Sequence, residues 1–381
     1  VRDIVGMLLG FLVNPIAGMG GRVGLKGTDG VVEEAIRRGA KPVSPFRAKE
    51  FLSSLDDLCS KRGIDIRFVS CRFSMGEEII GDFSFDVKYV DVPRSRDTSA
   101  LDTVEAVSRF VEEGVSLVVF VGGDGTARDV YTGLERSGGL DIPILGVPSG
   151  VKIYSGVFAI TPRDAAYLLI DYIDGRARVM DLEIMDIDED AFRSDRIEIR
   201  LYAYAKALYM PFYTQGSKEV SPDTADEVEN QEAIAKFIVE EWDRDGIYIL
   251  GPGTTVKRIA DILGIKKTLL GVDVYCRGRV YNDVSEREIL DIIGGEDAWI
   301  IVTPIGRQGI LFGRGNQQIS PNVIRRVGRD RIIVVATQRK LRDIPDGVLR
   351  VDTQDPDVDR MLRGYIRVVV DYRTWRMVRI V

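Results

Sequence analysis

The sequence predicts an α/β fold, an open parallel-sheet domain followed by a second domain of mixed β and α/β character. Three observations predict it. Strand-like and helix-like stretches alternate through the first half, the pattern that builds a parallel sheet. Two apolar strands run directly into glycine-rich turns, ending at Gly21 and at Gly125. After Gly175 the alternation gives way to long extended segments rich in aromatics, then resumes near Ile247. A chain of 381 residues accommodates two domains. The boundary is read at 1–176 for the first and 177–381 for the second.

Gly6 to Val13 reads as a buried strand and Val31 to Arg38 as a short helix. Ile64 to Val69 and Asp86 to Val90 are strands. Thr98 opens a helix through Glu113, with Asp102 and Glu105 near its positive end. Val115 to Val121 is wholly apolar, hence a central strand, and Thr126 to Glu135 continues as a helix. Ile142 to Val147 is another buried strand. Pro162 occupies the first position of a helix that runs to Ile173.

Beyond Gly175, Arg178 to Ile187 and Arg196 to Tyr209 alternate as antiparallel β-structure. A polar, acidic loop from Gly216 enters a helix over Glu232 to Trp242. Strands follow at Ile247 to Leu250, Thr268 to Val274, Ala298 to Thr303 and Arg331 to Ala336. Helices are read at Thr254 to Leu263, at Ser285 to Ile293 with Ser285 as cap, and from about Pro321. Ile366 to Asp371 and Trp375 to Ile380 form a hairpin, which the second domain either keeps or returns to the first.

Composition removes several function classes. Hydrophobic residues at 45% and charged residues at 29% describe a packed globular protein. The longest apolar stretch, Ile4 to Ile16, is too short to span a bilayer and contains Asn14 and Pro15. It lacks the basic start of a signal peptide, so a cytoplasmic protein without membrane partners is expected. A net charge of -7 argues against nucleic acid as partner. Cys59, Cys71 and Cys276 have no CxxC spacing, so neither a disulfide framework nor a thiolate zinc site follows. There is no histidine, which removes Ser-His-Asp and Cys-His catalysis and histidine-bound zinc. Phosphoryl transfer suits such a chain, because it relies on positioning and charge.

The central motif is Gly122-Gly123-Asp124-Gly125-Thr126, directly after an apolar strand and before a helix. Glycines let the backbone approach phosphates, and the helix start offers free amides to an anion. Asp124 adds a carboxylate that can bind magnesium or take a hydroxyl proton. Five residues in this order outweigh the alternative of a plain strand–turn–helix corner. The second motif, Asn14-Pro15-Ile16-Ala17-Gly18-Met19-Gly20-Gly21, also follows a strand. It is neither the dinucleotide fingerprint, since Val23 stands where a third glycine belongs, nor a Walker loop. Asn14, Gly18, Gly20 and Gly21 become phosphate candidates because the two turns would share one sheet edge.

Lys26 and Lys152 are candidate phosphate contacts, each about as readily a solvated surface lysine. Gly253 and Thr254 open a helix after a strand, either as a second phosphate cradle or as a simple capped turn. Arg314, Gly315, Asn316 and Gln317 concentrate donors suited to ribose or base recognition, or else cap the helix near Pro321. Asp273 stands at a strand end as a metal ligand or a turn residue.

The pair of glycine motifs resembles the ATP-NAD kinase superfamily, whose loop is shared with phosphofructokinases and diacylglycerol kinases. The stretches Leu25–Gly30, Gly146–Ala159 and Thr303–Pro321 are similar to its archaeal and bacterial polyphosphate/ATP-NAD kinase branch, which includes AcoX-like proteins. The resemblance covers about Asn14 to Val335. It implies a phosphofructokinase/NAD-kinase-like first domain, and transfer of a phosphoryl group from ATP or polyphosphate, with magnesium, to the 2′-hydroxyl of NAD. It assigns Asp124, the magnesium-ligand candidate above, as the catalytic residue, and Gly122, Gly123, Gly125 and Thr126 as the nucleotide-phosphate loop. Typical NAD kinases also carry an Asn-Glu pair toward the adenosine of NAD. Here Asn230 is followed by Gln231, which leaves other acceptors open: a lipid, a sugar or an acetoin-related alcohol. A nucleotide-binding regulator without turnover is the remaining alternative, and a homo-oligomer is compatible with all of them.

Overall fold

The computed structural model describes residues 7–25, 32–93, 98–150, 153–187, 199–210, 213–214, 225–306 and 308–381. The first half folds around a seven-stranded sheet. In chain order its strands are β1 (Met7–Val13), β2 (Ile66–Cys71), β3 (Asp86–Val90), β4 (Leu117–Gly122), β5 (Ile144–Pro148), β6 (Arg178–Ile187) and β7 (Ile199–Tyr209). In space the order is β3-β2-β1-β4-β5-β7-β6. The strands from β3 to β7 in that order pair in parallel, and β6 closes the edge antiparallel to β7.

Alternate residues of the strands feed two faces, as the pleat requires. Leu9, Phe11, Val13, Leu117, Val119 and Val121 pack under α2 (Ser44–Arg62) and α6 (Pro162–Ile173). Leu12, Val118 and Phe120 face α4 (Ala100–Glu112) and α5 (Asp124–Ser137). Each fully buried Leu, Val or Phe in these layers contributes about 1.5–3 kcal/mol. Two short helices, α1 (Val32–Arg37) and α3 (Glu77–Ile80), complete the unit.

The helix α2 has no counterpart in the sequence-based expectation. Its buried residues Ala48, Phe51, Leu52, Leu55 and Cys59 form one helical stripe, Pro45 stands in its first turn, and Gly63 ends it in the left-handed region at φ 64. The hairpin β6–β7 lies beyond the expected boundary at residue 176. It continues the first sheet, through Ile144 against Ala207, and so belongs to the first unit.

The second unit is a nine-stranded sheet. Its strands are β8 (Ile247–Leu250), β9 (Asp273–Cys276), β10 (Arg279–Tyr281), β11 (Trp299–Val302), β12 (Ile310–Phe312), β13 (Ile332–Val335), β14 (Val348–Val351), β15 (Gly364–Asp371) and β16 (Thr374–Ile380). They are arranged β10-β9-β8-β11-β13-β15-β16-β14-β12. The central β8, β11, β13 and β15 are parallel. The C-terminal hairpin β15–β16 pairs with β13 and β14, so it stays in the second sheet and does not return to the first.

One face of this sheet packs on α7 (Ala225–Glu240) and α8 (Thr254–Leu263). The other packs on α9 (Glu286–Ile293), α10 (Pro321–Val327), α11 (Gln338–Arg342) and α12 (Pro356–Leu362). The strand expected over Thr268 to Val274 begins only at Asp273. Its fully buried carboxylate draws the preceding chain into a loop, accepting from the Thr268 amide at 2.8 Å, the Thr268 hydroxyl and the Asp283 amide, with Lys267 at 3.3 Å. Asp273 is thereby an anchor of its own loop and not a metal ligand. Among the described residues no helix is long and apolar enough to cross a membrane.

Candidate active site at the sheet switch point

In open α/β sheets a ligand crevice forms where the strand order reverses, beyond the carboxyl ends of the strands. Here β1 has β2 on one side and β4 on the other, and the two glycine turns leave the carboxyl ends of β1 and β4. The Asn14 amide extends the ladder by donating to the Val121 carbonyl at 2.9 Å. Its side-chain Nδ2 then donates to Thr126 Oγ1 at 2.9 Å, and its Oδ1 accepts from the Ile16 amide at 3.3 Å. One asparagine thus ties the first turn to the second.

A third turn, after β5, joins them. The amides of Ser149 and Gly150 both donate to the Gly122 carbonyl, at 2.9 and 3.2 Å. Ser44 at the start of α2 bonds Ser149 Oγ at 2.8 Å and donates to the Ala17 carbonyl at 2.9 Å. Gly18 adopts φ 80, and a Cβ there would overlap the Ser149 carbonyl oxygen. Only glycine meets both demands. Gly20 is buried and its carbonyl accepts from the Leu25 amide at 2.9 Å.

Gly123 caps α5, and Asp124, Gly125 and Thr126 form its first turn. The backbone donors of a helix start have no partners within the helix, and the helix dipole favours negative charge there. Asp124 is 7% exposed, and its Oδ2 and Oδ1 accept the amides of Tyr154 at 2.8 Å and Ser155 at 3.0 Å. These two bonds fix the orientation of the carboxylate. The Tyr154 hydroxyl is buried beside it; burial, and then the Asp124 charge, push it well above the ordinary tyrosine value. Tyr154 therefore stays a neutral phenol.

Magnesium is the ion such chemistry implies. Among the described residues no cluster of three acidic or thiol groups gathers. Magnesium commonly takes one or two carboxylates and fills its sphere with substrate phosphates and water. A single fixed carboxylate at a glycine turn and helix start fits that demand, with Asp124 as the residue that would hold the ion.

The second domain reaches the same place with the loop Gly313–Gln317. Gln317 packs against Gly21 so closely that a Cβ there would overlap Gln317 Oε1. Arg314 crosses the interface and donates from Nη2 to the Ile160 carbonyl at 2.8 Å. Burial pushes its guanidinium down to about 10, against the raising fields of Asp352 and Asp124, so it remains charged at neutral pH. Gly315 turns the loop at φ 101.

Asn316 is the exception. It is fully buried, and its side chain accepts from the Gly313 amide at 3.0 Å and donates to the Leu311 carbonyl at 2.9 Å. It shapes its own loop through these two bonds. Gly253 and Thr254 lie apart from the glycine turns in their described contacts. The Gly253 amide donates to Leu269, a Cβ at Gly253 would press on Thr303, and Thr254 Oγ1 accepts from Gln231 at 3.3 Å. Lys26 and Lys152 fall outside the described residues.

Residues missed by the sequence reading join the domains. Arg47 of α2 is 1% exposed and forms a two-pronged pair with Asp352 that follows β14. It also bonds Glu50 at 2.9 Å and reaches the Pro148 carbonyl at 3.4 Å. Burial opposes the charge of Asp352, yet Arg47 and then Arg314 hold its carboxyl below the ordinary range. An arginine and an aspartate this far apart in the chain carry no local signal.

Comparison with known families agrees with this geometry. Residues 9–177 match the model of the ATP-NAD kinase N-terminal domain, and residues 244–380 match that of the ATP-NAD kinase C-terminal domain. No curated protein and no solved structure matches the chain. With both domains matched in order, and glycine turns meeting at the switch point of the first, the chain belongs to the ATP-NAD kinase family.

Proposed function

We propose that the protein transfers a phosphoryl group from ATP, or from polyphosphate, to the 2′-hydroxyl of the adenosine ribose of NAD. The observation that carries this reading is the joining of the two glycine turns through Asn14 and Thr126, with Asp124 fixed in the first turn of α5. The turns and the helix start hold the donor phosphates. Asp124 serves as the base for the hydroxyl proton or as the ligand of magnesium, which neutralises charge on the phosphates when bound. Its substrates are small nucleotides, and a cytoplasmic location belongs with them.

A specific observation keeps a second acceptor class in view. Asn230, the nearest counterpart of the family's Asn-Glu pair, spends its amide on packing: it donates to the Val370 carbonyl at 2.8 Å and accepts from the Gln338 amide at 3.0 Å. An acceptor other than NAD, another small alcohol, follows if no other group takes over adenosine recognition. The test is purified protein with magnesium and ATP, or polyphosphate in its place, against NAD, NADH, sugars and small alcohols, read by product mass. NAD gaining one phosphoryl group is expected. Phosphorylation of another alcohol alone would replace the acceptor, and consumption of neither ATP nor polyphosphate with any of them would leave a nucleotide-binding regulator.

A further inference from the structure

The loop Gly313–Gln317 is fastened to the elements that carry the phosphate turns. Gln317 rests on Gly21 of the first turn. Arg314 is bonded to Ile160, at the far end of the segment whose Tyr154 and Ser155 amides hold Asp124. Gly313 abuts the Asp352 carbonyl, where a Cβ would come within 2.6 Å. Asp352 is gripped by Arg47, which also reaches Pro148, the residue that pairs with Gly122 in the sheet. A guanidinium from the second domain is thereby carried to the phosphate end of the first.

Packing alone does not account for Arg314. It is 6% exposed, and its Nε–H has no hydrogen-bond acceptor among the described residues. A buried donor left unpaired costs free energy, and a buried charge costs more. Burying a guanidinium with donors to spare makes physical sense where an anion arrives to take them. The anion of this site is the phosphoryl group of the donor.

We propose that Arg314 is a catalytic residue that donates to the phosphoryl group in transfer, rather than a contact to the acceptor. This rests on the kinase reading given above. In the step, the acceptor oxygen forms a bond to the γ-phosphorus while the bond from that phosphorus to the β–γ bridging oxygen breaks. The bonding electrons leave on ADP, and the hydroxyl proton passes to Asp124. Charge builds on the bridging and peripheral oxygens, where a planar, permanently charged fork of donors is most effective. The Arg47–Asp352 pair positions this arginine by holding the loop.

The test compares wild type, Arg314→Lys and Arg314→Ala in two measurements. The first is equilibrium binding of ADP with and without aluminium fluoride, a mimic of the phosphoryl group in flight. The wild type should bind the fluoride complex far more tightly than ADP. Both variants should keep ADP affinity, which certifies their fold, and lose most of the extra tightness. The second is steady-state kinetics on whichever acceptor is active. A drop in kcat of roughly 10³-fold is expected, with both KM values nearly unchanged, and added guanidinium ion should restore part of the Arg314→Ala rate. A raised acceptor KM at normal kcat would overturn the proposal in favour of acceptor binding. Variants that keep the fluoride preference would remove Arg314 alone. A wild type that shows no preference would remove the kinase reading itself.

Discussion

Asp124→Asn should lower turnover by about 10²-fold or more, the scale of a lost acid–base group. The structure adds a second consequence. Both carboxylate oxygens carry backbone donors, Tyr154 N–H and Ser155 N–H. An asparagine offers one acceptor and turns an NH₂ group toward the other amide. One buried donor is left unpaired, at a cost of about 1–3 kcal/mol. The negative charge favoured at the start of α5 is also lost. The variant should therefore melt lower than wild type yet remain folded at the assay temperature. Turnover and melting are to be measured on the same preparation. Near-normal turnover in the folded variant would leave Asp124 as a structural anchor and move the chemistry elsewhere.

The largest stability effect is expected at the interdomain pair. Arg47→Ala leaves Asp352 buried without its partner, and breaking such a pair costs about 3–5 kcal/mol. Replacing both partners, Arg47→Met with Asp352→Leu, should recover most of that loss, because the desolvation penalty disappears with the charges. Urea unfolding followed by a probe in each domain measures both. The sign of the pH dependence follows from the lowered carboxyl of Asp352. Its contribution is present above the ordinary carboxylate range and is lost as pH falls through the lowered folded value. Glu50, Asp164 and Asp359 are raised, each chiefly by burial, and work in the opposite direction. The double variant removes the Asp352 contribution and, with Arg47 gone, also alters the fields at Glu50, Asp164 and Asp359, so the comparison reads the pair together with its neighbours. Acidification should narrow the stability gap between wild type and Arg47→Ala. A gap that is small at neutral pH would mean that the two domains are held by other contacts.

The two glycine turns of the candidate site were legible because each is local. An apolar strand, a glycine turn and a helix start are contiguous in Leu117–Ser137, and the same logic marks Asn14 to Gly21. That the two turns meet follows from parallel-sheet topology, and the Asn14–Thr126 bond is its outcome. What stayed hidden depended on contacts across the chain. The hairpin 178–209 looked like the start of a new domain because its pattern changes from buried to alternating, yet an edge hairpin of the first sheet reads the same way. The α2 stripe was present at Ala48, Phe51, Leu52, Leu55 and Cys59 but is interrupted by charges. Arg47 among them is one of the most buried side chains in the protein. The dense donors of 314–317 read either as ligand recognition or as a cap for the helix near Pro321. Asn316 instead folds back on its own loop, a use of asparagine that sequence does not distinguish.

The most direct measurement for the account as a whole is thermal unfolding with and without magnesium-ATP, for wild type and Gly123→Val. Gly123 has φ -124 and ψ -166, an extended backbone that valine adopts readily. A Cβ there would sit 3.3 Å from Gly150 Cα, so the branched side chain crowds the gap between the turn assigned to phosphate and the turn that follows β5. The nucleotide should raise the melting temperature of wild type, since binding to the native state stabilises it by mass action, and should leave the folded variant unshifted. Equal protection of both proteins would place the nucleotide away from the switch point and contradict the site described.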